Sequence, residues 1–127
     1  MHIVWIRTEN GETVVEDLEA PSFEQVRGNE TPMIPLQGAI FRTAQPAVAM
    51  DFHNAPRRQI VVPLIGQVRI ETGDGTSRLI TNGMALLADD LDGQGHKSTF
   101  TPDDAVTLFL VLPADFDPTE WRIIAGD

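Results

Sequence analysis

The 127-residue sequence contains no cysteine. Disulfide bonds, thiolate metal ligands and a cysteine nucleophile are therefore all excluded. Basic residues are also few: nine lysines and arginines stand against nineteen aspartates and glutamates, and the net charge at pH 7 is −10. Such an excess of negative charge repels phosphate backbones and anionic lipid surfaces. We therefore expect neither a nucleic acid nor a membrane as a partner.

Long apolar runs and targeting signals are missing as well. Residues 1–5 have no basic flank followed by a long apolar run, and no stretch approaches the roughly 20 apolar residues that span a membrane. The default expectation is a cytoplasmic protein. A chain of this length buries one core, so we predict a single domain.

Short apolar segments recur at intervals of roughly 8–12 residues, separated by Gly, Asn, Asp and Pro, which is typical of an all-β sandwich or barrel. Asn10-Gly11 predicts a tight hairpin turn between strands at Ile3–Arg7 and Thr13–Leu18. Residues 20–37 are predicted to wrap around the body of the domain, with one helical turn at residues 22–26. The central strands are predicted at Ala39–Thr43, Ala47–His53, Gln59–Ile65, Gln67–Thr72, Thr76–Ile80, Met84–Ala88, Lys97–Thr101 and Val106–Leu112, with mostly antiparallel connections.

Two predicted strands are almost continuously apolar. Residues 60–65 and 106–112 do not alternate with polar side chains, so both of their faces should be covered. A second sheet or a dimer partner would provide the cover, and we predict a homodimer. The tail contains Trp121 and is too apolar to remain in solvent, so we expect it to dock on the domain.

Residues 53–59 read His-Asn-Ala-Pro-Arg-Arg-Gln, and six residues separate them from Gly66. This spacing resembles the first motif of the cupin superfamily, which is His-x-His, three or four residues, Glu, six residues and Gly. Ala55 stands in place of the second His, and Gln59 in place of the Glu. Ala47 stands where the family has a Gly before the first His.

The segment from Gly83 to His96 resembles the second cupin motif. It ends in Gly-Gln-Gly-His at residues 93–96, with two extra residues and with Leu91 in place of the Pro. The resemblance implies an all-β double-stranded β-helix, or jelly-roll barrel, with an N-terminal hairpin extension. The implied parts of the single domain are an N-terminal hairpin and wrapping segment (1–37), the barrel (38–113) and a C-terminal tail (114–127).

The resemblance also implies a site inside the barrel at His53, Gln59 and His96. Cupins commonly hold a divalent metal such as Fe, Mn, Ni or Zn on three His and one Glu. Here two imidazoles and one amide remain, so a metal would need further ligands from water or substrate. In the other interpretation, His53 and His96 are catalytic acid/base groups or hydrogen-bonded cavity residues without a metal.

Arg57 and Asp90 are candidate substrate-binding residues beside Gln59. Arg57 is separated from positions 53 and 59 by even numbers of residues, so in a regular strand all three side chains would lie on one face. The guanidinium of Arg57 would then be directed toward an anionic ligand. The alternative for Arg57, and more so for Arg58, is a surface ion pair. Asp90 would orient or assist His96, and its alternative is a solvated turn carboxylate.

The predicted ligand is a small molecule. The first hypothesis is an enzyme that acts on a small anionic metabolite, with the reaction type unassigned. The alternatives are a non-catalytic binding module for an organic acid or sugar, and a structural dimeric barrel. The sequence does not decide whether the protein is an enzyme, because one fold serves many functions.

Overall fold

The computed structural model describes residues 1–19, 31, 33–43 and 49–121. Within these ranges the protein is all-β, and eight strands form one mixed sheet. The only helical element among the described residues is a 3₁₀ turn at Thr119–Trp121, and none of their helices has the length and apolarity to cross a membrane. The strands are β1 His2–Glu9, β2 Glu12–Glu19, β3 Gly38–Thr43, β4 Ala49–His53, β5 Gln59–Thr72, β6 Ser77–Ile80, β7 Ala85–Asp89 and β8 His96–Val111.

The N-terminal hairpin is confirmed. Strands β1 and β2 pair antiparallel up to Glu9 and Glu12, so Asn10 and Gly11 alone form the loop. Their φ angles are 53° and 80°, as a two-residue hairpin turn with the twist of the flanking strands requires.

Strands β5 and β8 are each longer than the sequence predicts. Gln59–Ile65 and Gln67–Thr72 were predicted as two strands, but they form one strand of 14 residues. Gly66 has a φ of 88°, and the register with β8 shifts on both sides of Ile65. A Cβ atom at Gly66 would lie 2.2 Å from the carbonyl oxygen of Thr101. The glycine therefore permits a bulge that bends the strand without reversing it.

In the same way β8 joins the two predicted strands Lys97–Thr101 and Val106–Leu112 into one strand of 16 residues. The residues of β5 before Gly66 pair with residues 106–111 of β8. The residues of β5 after Gly66 pair with residues 96–101 of β8. The two bent strands thus belong to two layers. One layer has the order β2-β1-β7-β5-β8-β3, and the other contains β6 and β4 on either side of β5 and β8.

One pairing differs from the expected antiparallel pattern. Strands β1 and β7 pair parallel, from Ile3 opposite Ala85 to Arg7 opposite Asp89. This pairing joins the N-terminal hairpin to the edge of the layer that contains β7 and β5, so the hairpin is an integral part of the sheet.

The main apolar core lies between the two layers. It contains Val61 and Phe109 from one layer and Val68, Ile70 and Phe100 from the other, all of them buried. Burial of apolar surface is the principal favourable term in folding, and this core therefore holds the two layers together.

A second apolar cluster covers the outer face of the larger layer. Trp121 packs there, 6% exposed, with Trp5, Leu18 and Ile60. The prediction that the tail docks is confirmed. The apolar strand β5 is covered by this tail on its outer face, although the cover ends before Leu64 and Ile65, which are exposed.

Several sequence predictions fall on residues that the structure does not describe. These are the helical turn at residues 22–26, most of the wrapping segment at 20–37, and position 47. The division of the chain at residues 37 and 113 stays a prediction.

Candidate functional site

A cavity of about 310 Å³ opens between the two layers. Most of its wall consists of Val, Leu, Ala, Pro and Phe side chains, and the wall contains no carboxylate among the described residues. A small apolar pocket with a few convergent polar groups is typical of a small-molecule site. Its polar members are Arg42, His53, Asn54, Gln59, His96 and Ser98.

The two histidines lie directly opposite each other. His53 ends β4, His96 begins β8, and the two residues form a cross-strand pair. Their ring centroids are 4.5 Å apart, with an angle of 52° between the ring planes. Gly95 permits this approach, because a Cβ atom there would lie 2.1 Å from the carbonyl oxygen of His53. The structure therefore brings the two predicted catalytic residues together at the cavity wall.

Asp90 lies behind His96 and is completely buried. Its Oδ2 atom is 2.5 Å from Nδ1 of His96 and accepts a second hydrogen bond from Oγ1 of Thr13 at 3.0 Å. Because the carboxylate only accepts, Nδ1 of His96 carries a proton, and Nε2 is the ring nitrogen available to a ligand. Asp90 is not part of the cavity wall. It therefore contacts the imidazole and does not contact a substrate in the cavity.

His53 is held in a similar way from the other strand. Its Nδ1 atom donates to the carbonyl oxygen of Asp51 at 2.8 Å. The neutral ring then presents Nε2 as an acceptor. Both imidazoles are thus fixed through Nδ1 and have Nε2 free of any described protein partner.

Gln59 begins β5 and lies in the cavity wall, 4% exposed. Its Oε1 atom is buried and has no hydrogen-bond donor among the described residues. An unpaired buried polar atom costs about 1–3 kcal/mol. The structure therefore places Gln59 beside the histidines and leaves part of its hydrogen-bonding capacity unused.

Arg57 does not reach this cavity. It is exposed and lines a separate depression of about 280 Å³ together with Arg58 and Asp89. The parity argument for Arg57 is wrong, because β4 ends at His53 and β5 begins only at Gln59. The intervening bends do not preserve the alternation of a strand.

Arg58 has a structural role at the same place. Its Nη2 atom donates to Asp89 at 3.0 Å, and its Nη1 atom donates to the carbonyl oxygens of Ala114 and Phe116. Asp89 also accepts from Nε1 of Trp5. These contacts fasten the tail to the end of β7, in agreement with the ion-pair interpretation of Arg58.

Arg42 lines the cavity, and the sequence reasoning missed it. Its guanidinium carbon lies 4.6 Å from the ring centroids of both Phe100 and Phe109. Partial desolvation lowers the pKa of Arg42, since a charged group is disfavoured where water is removed, although the residue as a whole is exposed. No local signal in the sequence marks it, because Gly38–Thr43 reads Gly-Ala-Ile-Phe-Arg-Thr and does not alternate apolar with polar residues.

The donor set does not fit a tightly bound divalent metal. Two imidazole nitrogens and one neutral amide oxygen are fewer than the three good protein ligands that zinc-type sites use. The described ranges contain no group of three or more His, Asp or Glu side chains that could hold a metal ion. The nearby carboxylate of Asp90 is directed at Nδ1 of His96, on the far side of the ring from the free nitrogen.

A scan of the chain against protein-family models gives no match, and a search among curated proteins gives none either. The resemblance to the cupins therefore depends on the motif residues themselves.

Proposed function

We propose that the cavity binds a small metabolite and that His96, assisted by Asp90, transfers a proton to and from it. The observation that carries the proposal is the buried Asp90–His96 pair: His96 lines the cavity, and its Nε2 atom has no described protein partner. A buried carboxylate holds the imidazole in one tautomer and stabilises the imidazolium that forms when Nε2 takes a proton. The protein would then be an enzyme of the acid/base type.

Stability alone does not account for this pair. Replacing buried ionic groups with well-packed apolar residues is often neutral or stabilising. Oδ1 of Asp90 also lacks a described hydrogen-bond partner, which adds to the cost of burial. A polar group that is costly for folding and located at a cavity is typical of a functional site.

The chemistry needs only the groups already described. Neutral His96 takes a proton from the substrate at Nε2 and becomes an imidazolium paired with Asp90. Return of the proton to the same atom exchanges hydrogen with solvent, and return to a neighbouring atom is an isomerisation; neither step changes the number of atoms. His53 lies 4.5 Å away, measured between ring centroids, and its Nε2 atom can accept a hydrogen bond from a hydroxyl or amide group of the substrate and so orient it.

The family proposal is a cupin-type double-stranded β-helix with an N-terminal hairpin extension. Three features support it: two bent strands shared between two layers, a cavity between those layers, and the presence of His53, Gln59 and His96 in its wall. A cytoplasmic location and a homodimer stay predictions that accompany this proposal.

Hydrogen exchange from solvent tests the proton transfer without knowledge of the substrate. The protein is incubated in D₂O with a panel of small organic acids and hydroxy acids, and deuterium incorporation at carbon is followed by NMR. We expect incorporation into at least one compound and its loss in His96→Gln. His2→Gln is the matched control, since His2 lies on β1 and contacts Asp17 at 2.8 Å.

The results separate the competing functions. Incorporation that persists in His96→Gln would disprove the role of His96. Binding of a compound without exchange would favour the non-catalytic binding module, for which the unpaired amide oxygen of Gln59 is the supporting observation.

A further inference from the structure

We propose that Arg42 anchors the carboxylate of a small monocarboxylic acid in the cavity. The inference rests on the proposed function, because it takes the cavity as the ligand site, and it adds the chemical class of the ligand.

The cavity has the opposite charge character to the rest of the protein. The chain carries a net charge of −10, yet the described wall contains one guanidinium and no carboxylate. A single positive charge in an apolar, partly closed space attracts anions more strongly than it would in water, because the surroundings screen it less. The wall is therefore suited to a ligand with one negative charge.

Arg42 also differs from the arginines that have structural partners. Arg7 pairs with Glu16, Arg58 with Asp89 and Arg78 with Asp17, at distances of 2.9, 3.0 and 3.5 Å. For Arg42 the described part of the chain supplies aromatic rings and no carboxylate or carbonyl acceptor. The five N–H donors of its guanidinium are thus available to a ligand.

The rings of Phe100 and Phe109 fix the guanidinium in place. Stacking on two aromatic faces restricts the side chain before a ligand arrives, so less rotamer entropy is lost on binding. Arg42 is exposed as a whole residue, and the partial desolvation that lowers its pKa is a modest cost that an anionic partner would offset.

A carboxylate fits this position better than a phosphate does. A guanidinium and a carboxylate are both planar and form two parallel hydrogen bonds. A phosphate dianion would bring a second negative charge into a cavity whose wall offers no second cation among the described residues. An uncompensated buried charge is costly, so the singly charged carboxylate is favoured.

The position of Arg42 also orients the ligand. His96, Ser98 and Phe100 alternate along β8 and line the same cavity wall. Four residues of a strand span roughly 13 Å between Cα atoms. An acid held at the Phe100 end therefore extends its chain along the wall toward His96.

Calorimetric titration with matched pairs of ligands tests the anchor. The probes are butyrate and hexanoate against butyramide and hexanamide, which differ only in the charged group. We expect the wild-type protein to bind the acids at least about tenfold more tightly than the amides. Arg42→Gln should remove this preference, and Arg57→Gln, the matched control outside the cavity, should retain it.

NMR signals of the Phe100 and His96 rings, followed in the same titrations, show whether each probe enters the cavity, because a short acid held by Arg42 lies nearer to Phe100. If acids and amides perturb these rings with equal affinity, the cavity remains a small-molecule site and the anchor role of Arg42 is wrong. If no probe perturbs either ring, this inference is contradicted, whereas loss of solvent exchange in His96→Gln tests the proposed function separately. Tighter binding of inorganic phosphate than of butyrate, or loss of the preference in Arg57→Gln, would also overturn this inference. The comparison of acids with amides in the wild-type protein does not depend on the folding of any variant.

Discussion

Asp90 is completely buried, and it accepts one hydrogen bond from a distant part of the chain and one from a near neighbour in sequence. Thr13 on β2 donates to it across 77 positions of sequence, and His96 follows it by six. The Asp-rich turn that contains Asp90 gave no indication of this environment, because a solvated turn carboxylate has the same local sequence. The sequence suggested that Asp90 could orient His96, and only the tertiary structure distinguishes that interpretation from the solvated one.

Asp90→Asn separates a positioning role from a structural one. The amide keeps the size of the side chain but removes the charge that stabilises the imidazolium, so solvent exchange catalysed by His96 should fall on the order of 100-fold or more. The free energy of unfolding, measured by urea denaturation, should fall by about 1–3 kcal/mol, because the buried carboxylate accepts hydrogen bonds from His96 and Thr13 that the amide weakens. If the rate of solvent exchange falls only by the factor that the larger unfolded fraction explains, the role of Asp90 is structural.

The histidines and the arginines differ in how far the sequence could predict their positions. His53 and His96 belong to motifs whose spacing resembles a known family, and the structure brings them together. The prediction for Arg57 depends only on the alternation of side chains along a strand, and this alternation does not apply to Arg57 because it lies between β4 and β5. Arg42 required knowledge of which face of β3 the second layer covers, and no local pattern contains that information.

At the scale of the elements, the glycines explain the main error of the sequence interpretation. Gly66 interrupts an apolar pattern in the same way as the residues of the Asn10-Gly11 turn, yet one position is a bulge and the other a hairpin. Local sequence indicates a positive φ angle in both cases. Whether the chain reverses there depends on the pairing with β8, which extends along the whole of β5. The positions of the strands could thus be predicted, and their continuity could not.

The turn between β5 and β6 is held by a carboxylate that makes its stability depend on pH. The hydroxyl of Thr72 and the backbone amide of Thr76 donate to Asp74, and these hydrogen bonds lower the pKa of Asp74 from 3.8 to about 2. Because the folded pKa is the lower one, the stabilising contribution is present above pH 3.8 and is lost as the pH falls through about 2.

Asp74→Ala should therefore weaken this acid dependence. We expect the midpoint of urea denaturation to be lower than in the wild type at neutral pH, and the difference to shrink as the pH falls from 3.8 to about 2. Asp104→Ala is the control, since Asp104 is an exposed carboxylate of β8. A difference that stays constant over this pH range would show that the hydrogen bonds of Asp74 do not carry the effect.

At the scale of the whole molecule, the tail changes the argument for a dimer. The sequence predicts a partner because two strands are apolar on both faces. In the structure, Trp121 and the residues packed around it cover much of the outer face of the larger layer. Phe41, Leu64 and Ile65 are among the exposed apolar side chains that still favour association. The homodimer stays a prediction, and it now depends on a different surface from the one the sequence indicated.

Metal content is the property of the whole molecule that most directly tests the metal-free chemistry. The cavity offers two imidazole nitrogens and an amide oxygen, so we expect protein purified without chelator to contain Fe, Mn, Ni and Zn well below one equivalent by mass spectrometry. Reconstitution should give weak binding that dialysis removes, since neutral ligands do not compensate the charge of the ion. Near-stoichiometric metal that disappears in His96→Ala and persists in His2→Ala would contradict this expectation. Nε2 of His96 would then be a metal ligand, and Asp90 would be the carboxylate that orients a metal-bound imidazole.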